Sequence, residues 1–433
     1  MNPKKRDAGT GMTKIYYSLY DRMLSPQSMR EAFKKVKAAK GGPGIDGQTI
    51  RNYEENLKEN SVILAQELRE KRYRPLPVKR VEIEKPDGGV RKLGVPAVRD
   101  RVVQQVLKTI LEPIFDPHFH PSSYGYRPKR NTTQAICKVQ RFTREFGLQW
   151  VVDMDLSKCF DTLDHDLILK RFKTRIADGS IINLLRLFLE SGVMIGREWE
   201  PSEVGSPQGG VISPLIANVY LDEFDQFMKE RNHRIVRYAD DIIILTRSES
   251  AAVNAQKQAT HFLELHLKLT INRKKTHRVH CSEGIKYLGV VIYPQYTAIQ
   301  DKKIDKLKVK IKQITRRNSP VNLKTVIREL NPVIRGFANY FRVANCKSIL
   351  RSLMQWIRRR LRAKQMTLWK KSGKLHRRLR QLGYRGNFKS IKMSSWRNSH
   401  SPLVCMAMKN IWFDRMRLYN LEKVTTGYSV SDP

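Results

Sequence analysis

Apolar and polar residues alternate along residues 149–156, QWVVDMDL, in the pattern of a short β-strand. The alternation places the side chains of Asp153 and Asp155 on the same face of that strand. Buried strands rarely carry two carboxylates unless a cation neutralises them. Ser157 follows the strand and is a residue type that often caps a helix. The segment therefore predicts a strand with an acidic face, followed by a helix that is capped by Ser157.

Two apolar runs flank a pair of aspartates in residues 235–245, IVRYADDIIIL. These runs predict two strands joined by a tight turn, with Asp240 and Asp241 at its tip. Aspartate is a common turn residue, so the pair by itself is equally typical of a structural hairpin. The hairpin indicates a catalytic function only in combination with the acidic strand at 149–156.

Residues 81–96 form a second predicted hairpin, in which Pro-Asp-Gly-Gly separates two alternating runs. The hairpin would place Lys85 and Arg91 at comparable heights on its two strands, where they suit the binding of a triphosphate. A lone basic pair on a hairpin is more often simply solvated, and these residues alone leave that alternative open.

Local signals predict two helices. In residues 205–215, GSPQGGVISPL, Ser213 and Pro214 are typical of an N-cap and the first helical residue. The glycines before them leave the backbone free to approach a ligand, although an ordinary glycine-rich loop is the simpler explanation of the stretch alone. Residues 353–362, LMQWIRRRLR, repeat apolar positions at helical spacing and predict a folded helix.

The charge of the chain is strongly basic and unevenly distributed. The 433 residues include 82 Lys and Arg against 41 Asp and Glu, a net charge of +41, and 40% of them are hydrophobic. From residue 301 to the end, 33 basic residues stand against six acidic ones, and residues 330–413 hold 20 basic residues and no acid. A surface helix that needed only solubility would carry both signs. The expected counter-ions are therefore the phosphates of a nucleic acid.

Composition disfavours several other classes of protein. No run approaches the ~18 apolar residues that span a bilayer, and no apolar stretch follows the N-terminal charges. We therefore expect a reducing, cytoplasmic compartment and no membrane association. The cysteines lack the spacing of a zinc site, and a disulfide framework is unusual in a long basic chain. They are Cys137, Cys159, Cys281, Cys346 and Cys405.

Three carboxylates from two neighbouring strands suit one particular chemistry. Polymerising nucleotides requires activation of a 3′-hydroxyl and stabilisation of charge on a leaving pyrophosphate. Two Mg²⁺ ions ~4 Å apart serve both needs by clamping the attacking and leaving oxygens. Mg²⁺ prefers oxygen ligands, and Mn²⁺ is the alternative ion. The acidic strand and the Asp240-Asp241 turn together predict a polymerase site with two metal ions.

In their order and spacing, these segments resemble the motifs of group II intron-encoded reverse transcriptases with the attached maturase region. The resemblance runs from about residue 30 to about residue 400, and PQGG followed by YADD is very specific in combination. The quoted motifs are GGPGIDG at 41–47, SYGYRP at 123–128, PQGG at 207–210, YADD at 238–241, YLG at 287–289 and the thumb/maturase signature VIRGFANYF at 333–341.

The resemblance assigns the metal ligands. Asp155, and not Asp153, matches the ligand position, because Phe160 then falls where the family has a bulky residue that crowds the 2′-hydroxyl of a ribonucleotide. Asp240 and Asp241 complete the metal set. Asp153 is left as a supporting or structural acid.

The resemblance also assigns contacts with the substrates. Lys275 matches a position near the pyrophosphate, and Lys274 is the alternative. The other assigned residues are Gln208, Lys85 and Arg91 for the incoming deoxynucleotide and its phosphates, and Tyr238 and Gly289 for the primer and template.

The basic C-terminal part is expected to bind nucleic acid. RNA-containing duplexes are A-form, so recognition should use shape, phosphates and 2′-hydroxyls. Trp356 lies at helical spacing and is expected in a core, whereas Trp369 and Trp396 suit either a core or stacking on unpaired bases. The expected RNA-binding residues are Arg358, Arg359, Arg360, Arg362 and Trp369.

The expected fold is an α+β right-hand polymerase, with fingers and an antiparallel palm sheet, followed by a helical thumb/maturase region. Many relatives carry a C-terminal His-Asn-His endonuclease with paired cysteines. The cysteine spacing here, and the end at Pro433, resemble the endonuclease-lacking, bacterial group IIC-like branch. The expected domains are a helical N-terminal extension with a Gly-rich loop at 1–75, the fingers-palm unit at 76–295, the thumb/maturase domain at 300–370 and a basic RNA/DNA-binding region at 371–433.

The expected function has two compatible parts. As an enzyme, the chain would extend a DNA primer on intron RNA with dNTPs. As a maturase, it would stabilise folded group II intron RNA during splicing, and both activities would serve mobility into target DNA. The alternatives are a domesticated relative in defence or DNA repair, and a splicing cofactor in which polymerisation is secondary.

Overall fold

Contacts divide the chain into two units. The first comprises Met1–Ala135 and Trp150–Arg278, and the second comprises Ile136–Gln149 and Val279–Pro433. The four-part division expected from the sequence is finer than this one and stays a prediction. The computed structural model describes residues 14–84, 90–195, 198–200, 205 and 209–427.

The described strands form three sheets, with the orders β2-β1-β4-β5, β6-β7-β3-β8 and β11-β10-β9 once the strands are numbered along the chain. Their bounds are β1 (Val78–Glu84), β2 (Val90–Val95), β3 (Trp150–Asp155), β4 (Val193–Ile195), β5 (Glu198–Glu200), β6 (Arg234–Tyr238), β7 (Asp241–Thr246), β8 (His277–His280), β9 (Ile285–Tyr287), β10 (Val290–Ile292) and β11 (Thr297–Ile299).

The described α-helices lie before, between and after these strands. Their bounds are α1 (Pro26–Ala38), α2 (Ile50–Glu55), α3 (Leu57–Arg69), α4 (Val98–Phe115), α5 (Thr132–Arg144), α6 (His165–Lys173), α7 (Gly179–Glu190), α8 (Ser213–Glu230), α9 (Glu249–His261), α10 (Asp301–Ile314), α11 (Leu323–Phe341), α12 (Lys347–Trp369), α13 (Ser372–Gln381), α14 (Pro402–Ala407) and α15 (Asn410–Arg415). None of these helices is long and apolar enough to cross a membrane.

The predicted acidic strand is confirmed as β3, which pairs antiparallel with β7. Val152 and Met154 are fully buried in the core below the sheet, whereas Asp153 and Asp155 are partly exposed on its other face. The core is continuous with apolar residues of α8 and α9, such as Phe224. Alternation therefore gives one sheet an apolar face and an acidic face.

Both predicted hairpins form. Strands β6 and β7 are antiparallel and are joined by the two residues Ala239 and Asp240. Strands β1 and β2 are also antiparallel, with Arg91 opposite Ile83. The Pro-Asp-Gly-Gly turn lies outside the described residues.

Two predicted helix starts differ from the structure. No helix begins at Ser157: Lys158 takes a left-handed conformation with φ 49°, a short 3-10 turn follows at Cys159–Asp161, and α6 begins at His165. Asp164 caps α6 by accepting a hydrogen bond from Leu167 N at 2.9 Å. Helix α8 begins at Ser213 itself, with Ile212 in the N-cap position. Cap residue types also recur in loops, which explains the error at Ser157. The one-residue shift at Ser213 is the usual spread of helix boundaries.

The second unit contains the predicted helix at 353–362 as part of α12. Its small sheet, β9 to β11, is antiparallel throughout. The residues buried by α11 and α12 include Leu330, Ile334 and Ile357. None of the five cysteines, all of which lie in described parts of the chain, forms a disulfide.

Candidate active site

The structure brings Asp155, Asp240 and Asp241 to one end of the sheet that contains β3, β6 and β7. Asp155 is the direct partner of Asp241 in the β3–β7 ladder. Tyr238 is the partner of Asp241 in the β6–β7 ladder, so Asp240 lies in the turn between them. Directly opposed residues of antiparallel strands have Cβ atoms about 5 Å apart. Ladder register thus places Asp155 beside Asp241, with Asp240 in the adjoining turn.

The turn that presents Asp240 is held from below by the buried side chain of Arg237. Arg237 and Asp225 are both fully buried, and two guanidinium nitrogens of Arg237 donate to the Asp225 carboxylate at 2.6 and 2.9 Å. Arg237 Nη1 also donates to the carbonyl oxygen of Ala239 at 3.0 Å and to Asn218 Oδ1 at 3.1 Å. Because Ala239 adopts φ 59°, the hydrogen bond to its carbonyl fixes a turn that is otherwise strained.

The segment SYGYRP at 123–128 packs directly against the same turn. A Cβ on Gly125 would overlap the backbone of Ala239, so only glycine fits there. Asn218 Nδ2 donates to the carbonyl oxygen of Gly125 at 2.9 Å. Tyr124 N donates to the carbonyl oxygen of Arg237 at 2.9 Å. The motif therefore acts as a backbone support for the Asp240 turn.

Asp155 is oriented by the loop that follows α9. Asn272 Nδ2 donates to Asp155 Oδ2 at 2.9 Å, and the backbone N–H of Asn272 donates to the Asp155 carbonyl oxygen at 2.8 Å. Lys275 Nζ lies 3.7 Å from Asp155 Oδ2. The Lys275 side chain is 64% exposed, so its ion pair with Asp155 is weak and leaves the ammonium available to a second anion.

Crowding of carboxylates changes the acidity of this cluster. Partial burial, followed by the charges of Asp240, Asp153 and Asp155, raises the pKa of Asp241 to about 7. Burial also raises the pKa of Asp153 to about 6, and the Asp155 carboxylate adds to that rise while His277 opposes it. Like charges held close together disfavour ionisation unless a cation joins them.

The donor set fits a hard divalent cation. All three residues offer carboxylate oxygens, the ligand type that Mg²⁺ and Mn²⁺ prefer. Across the described residues, no three His, Cys, Asp or Glu side chains already stand as a group that could hold a metal ion. Asp155 Oδ2 instead faces Asn272 and Lys275. Burial and the neighbouring carboxylates both raise the pKa of Asp241, and a bound cation would offset both effects.

Divalent cations should stabilise the protein more at high pH than at low pH. An unfolded aspartate loses its proton near about pH 4, whereas folded Asp241 retains its proton up to about pH 7. Without metal, this group therefore lowers stability as pH rises through that window, and a bound cation removes the loss. We expect Mg²⁺ to raise the melting temperature at about pH 8 much more than at about pH 5.

The matched control for this experiment is Asp241→Asn, measured at constant ionic strength with EDTA as the metal-free reference. Mg²⁺ should raise the melting temperature of the variant by more similar amounts at the two pH values than it does in the wild type. An equal pH dependence in both proteins would contradict the assignment of Asp241.

Other predicted site residues fall in several places. Phe160 is buried in the 3-10 turn after β3, with the Tyr126 ring edge-on at a centroid distance of 6.3 Å. Tyr238 is partly buried at the end of β6. Gly289 belongs to the second unit and forms the β9–β10 turn with φ 82°. Lys85, Gln208 and the side chain of Arg91 lie outside the described residues.

The arginines of α12 that were predicted to bind RNA make contacts within the protein. Arg358 is 4% exposed and pairs with Glu422 at 2.9 Å. Arg362 is buried and donates to the carbonyl oxygen of Met408 at 3.1 Å, and Arg360 donates to Thr315 Oγ1 at 2.6 Å. Arg359 lies over the Trp396 ring at 4.5 Å. These side chains build the fold around α12.

The tryptophans of this region are all partly buried. Trp356 carries the Arg360 guanidinium over its ring at 5.2 Å, consistent with a place at the edge of a core. Trp369 is the last residue of α12. Other basic side chains of the second unit are exposed and include Arg335, Arg342, Lys347, Arg351, Lys370, Lys371, Lys374, Arg377, Arg380, Arg385, Lys389, Lys392, Arg417 and Lys423.

Sequence reasoning missed the residues that support the carboxylates. Asn272 stands in the NRKKT segment from which only the lysines were chosen. Arg237 was read as part of a strand, and its partners Asp225 and Asn218 lie in α8 beyond the segment 205–215. An arginine within an otherwise apolar strand was the available signal, because such a charge must be paired when buried.

An antiparallel sheet that carries Asp155, Asp240 and Asp241 at one end and is backed by helices is the arrangement expected of a template-directed polymerase of the reverse transcriptase class. Residues 83–292 match the family described as "Reverse transcriptase (RNA-dependent DNA polymerase)", and residues 304–383 match "Group II intron, maturase-specific domain". The chain belongs to the group II intron-encoded reverse transcriptases that carry a maturase domain. It is an RNA-directed DNA polymerase with a right-hand fold and depends on divalent metal ions.

Curated relatives agree with this membership. The chain is 35% identical over 306 residues to Protein YkfC of Escherichia coli (strain K12), which covers 62% of this chain and 80% of YkfC. It is 26% identical over 442 residues to the Group II intron-encoded protein LtrA of Lactococcus lactis subsp. cremoris, covering 78% of this chain and 73% of LtrA. It is 25% identical over 290 residues to Nuclear intron maturase 2, mitochondrial, of Arabidopsis thaliana, and the match covers 46% of this chain and 39% of that protein.

Proposed function

We propose that Asp155, Asp240 and Asp241 hold two Mg²⁺ ions for DNA synthesis on an RNA template. The supporting observation is the ladder register, which sets Asp155 opposite Asp241 with Asp240 in the adjoining turn. When bound, a pair of Mg²⁺ ions activates the 3′-hydroxyl and stabilises charge on the leaving pyrophosphate. Mn²⁺ offers the same preference for oxygen ligands and is the alternative ion.

The residues around Asp155 have distinct positioning roles in this proposal. Asn272 keeps the Asp155 carboxylate turned in one direction through its 2.9 Å hydrogen bond. Lys275, beside Asp155 and mostly exposed, supplies a cation at the edge of the site for the pyrophosphate. That position favours Lys275 over Lys274. Asp153 raises the negative charge of the cluster without lying in the Asp155–Asp241 pair.

Phe160 is proposed to exclude ribonucleotides by crowding the 2′-hydroxyl. Its ring is buried, and the Tyr126 ring packs edge-on against it at a centroid distance of 6.3 Å. In Phe160→Val, which keeps an apolar side chain but removes the ring, we expect the preference for dNTPs over rNTPs to fall by on the order of tenfold. The measurement is kcat/KM for a matched dNTP and rNTP on one template-primer.

Phe172→Leu is a suitable control for the Phe160 experiment, because Phe172 is another buried aromatic residue of the same unit but lies in α6. It should lower stability without changing selectivity between the sugars. If Phe160→Val and the wild type prefer dNTPs over rNTPs to the same degree, Phe160 is not the residue that excludes ribonucleotides.

The remaining site residues are proposed on the resemblance of their motifs. Gln208, Lys85 and Arg91 would contact the incoming nucleotide and its phosphates. Tyr238 would lie at the primer terminus, which its place beside Asp241 in the ladder supports. Gly289 would contact the primer or template backbone, for which a glycine with positive φ in a tight turn is suited.

A maturase function for intron RNA is the second part of the proposal. It is supported by the match of residues 304–383 to the maturase-specific domain and by the exposed basic side chains of the second unit. The proposed partners are group II intron RNA, an RNA template paired with a DNA primer, and the target DNA of intron mobility. We also propose a reducing, cytoplasmic compartment, because a disulfide framework is unusual in a long basic chain.

One experiment tests both parts. The purified chain is given an RNA template with an annealed DNA primer and dNTPs, and separately a group II intron RNA at a Mg²⁺ concentration too low for self-splicing. We expect primer extension that EDTA abolishes, and acceleration of splicing by the protein. If the protein extends the primer but does not accelerate splicing of any intron RNA, the result would favour a domesticated relative. If it accelerates splicing but does not extend the primer, the result would favour a splicing cofactor.

A further inference from the structure

The second unit contains a basic groove, and none of its lining residues belongs to the proposed site. It has a volume of about 690 Å³ and lies between α11 and the C-terminal segment 416–427. None of its described lining residues is acidic. We use the name basic groove for the surface lined by Arg335, Asn339, Arg342, Arg417, Tyr419 and Lys423.

Hydrogen bonds hold the C-terminal segment against α11. Asn331 Nδ2 donates to the carbonyl oxygen of Arg417 at 2.7 Å, and Tyr419 N donates to Asn331 Oδ1 at 2.8 Å. Gly427 N donates to the carbonyl oxygen of Arg342 at 2.8 Å. The segment is therefore fixed near both of its ends, and it forms a wall of the groove.

Buried groups anchor the same segment to the body of the unit. Leu418 and Leu421 are buried. Glu422 forms its ion pair with the buried Arg358 of α12. Detaching the segment would leave the Arg358 charge buried without its acid, which is strongly unfavourable. The groove is thus pre-organised, so ligand binding does not have to order its wall.

The chemistry of the groove matches a phosphodiester backbone. Three guanidinium groups and one ammonium group line it, and guanidinium binds phosphate oxygens through paired hydrogen bonds. Arg335 lies over the Tyr419 ring at 5.2 Å, which gives the groove a flat surface of the kind on which bases stack. The Asn339 amide can donate to and accept from a 2′-hydroxyl.

From these contacts we infer that the basic groove binds the sugar-phosphate backbone of one or two unpaired nucleotides of RNA. Its volume of about 690 Å³ is that of a small-ligand pocket and suits one or two nucleotides. Helix α11 lies within the segment that matches the maturase-specific domain, which favours RNA over DNA. The inference rests on the proposed RNA-binding function and gives that function a defined contact surface.

The test compares two pairs of substitutions with the same change in net charge. Arg417→Gln with Lys423→Gln removes two exposed cations of the groove, and Lys347→Gln with Arg351→Gln removes two exposed cations of α12 outside it. Binding of the full chain to a group II intron transcript and to single-stranded DNA is measured over a series of salt concentrations. Primer extension on a pre-annealed template-primer is measured in parallel.

The groove pair should weaken RNA binding by roughly 10- to 100-fold at about 0.1 M salt and make the salt slope shallower by about two. The α12 pair should have a much smaller effect, and primer extension should be unchanged in both. The single variant Lys423→Gln should make the salt slope of RNA binding shallower by about one. It provides the test if the double groove variant lowers the melting temperature.

The inference would be overturned by equal losses of RNA affinity in the two pairs, or by a loss restricted to DNA. Wild-type protein that fails to bind intron RNA at all would instead refute the proposed maturase function. If the wild-type protein binds intron RNA and the variant with both groove substitutions binds it equally well, the role of the basic groove is refuted. The proposed maturase function would then still stand.

Discussion

Replacing both Asp240 and Asp241 with alanine is expected to lower primer extension by at least about 10³-fold, because cation stabilisation of the transition state is worth several kcal/mol. The variant removes two of the three carboxylates that the β3, β6 and β7 sheet presents. RNA affinity and splicing assistance should persist, because those functions are proposed for the second unit. The measurements are single-turnover extension on a template-primer and binding of an intron transcript.

Asp153→Asn is the matched control for this double substitution. It removes a carboxylate from the same sheet face without touching the Asp155–Asp241 pair. Extension should decrease far less than in the double variant, and the loss of a repulsive charge should lower the pKa of Asp241 below about 7. DNA synthesis that survived the double substitution would show that the metal ligands were assigned wrongly.

Replacing Arg237 with methionine should have the second-largest effect, on both stability and catalysis. Breaking a buried ion pair by removing one partner costs about 3–5 kcal/mol, because the Asp225 carboxylate stays buried without compensation. The carbonyl oxygen of Ala239 also loses its donor, so the Asp240 turn loses the contact that fixes it. We expect a lower free energy of unfolding in urea and a lower kcat with little change in the KM for dNTP.

A second variant separates the two roles of Arg237. Arg237→Met with Asp225→Leu removes both buried charges, and apolar replacements of buried pairs are often neutral for stability. Stability should largely recover, whereas kcat should stay low because Ala239 still lacks its hydrogen bond. A kcat that recovered together with stability would show that Arg237 serves only the fold.

The positions of the carboxylates that we propose as metal ligands could be predicted from the sequence because the signal is local. Alternation along eight residues places Asp155 on a strand face, and two apolar runs place Asp240 at a turn. Antiparallel pairing of adjacent strands was then enough to bring them together. The register itself, Asp155 opposite Asp241, required the structure.

The role of each arginine could not be predicted from charge alone. A count of basic residues does not distinguish Arg358, which is paired with an acid 64 residues away, from Arg417, which lines a groove. Arg237 depends likewise on Asp225, whose helix carries no motif. Such pairings are decided by tertiary packing, which buries some cations of a basic helix and exposes others.

The pairing of Asp155 with Asp241 also limits how this gene can change. Side chains alternate along a strand, so insertion or deletion of one codon within β3 would turn Asp155 towards the apolar core and Met154 or Leu156 towards the acidic face. Substitutions among the buried residues of β3 can be absorbed by repacking, whereas a single-residue length change requires a β-bulge or reverses the faces of the side chains that follow it. Evolution of this segment should therefore proceed by exchange of residues at constant length.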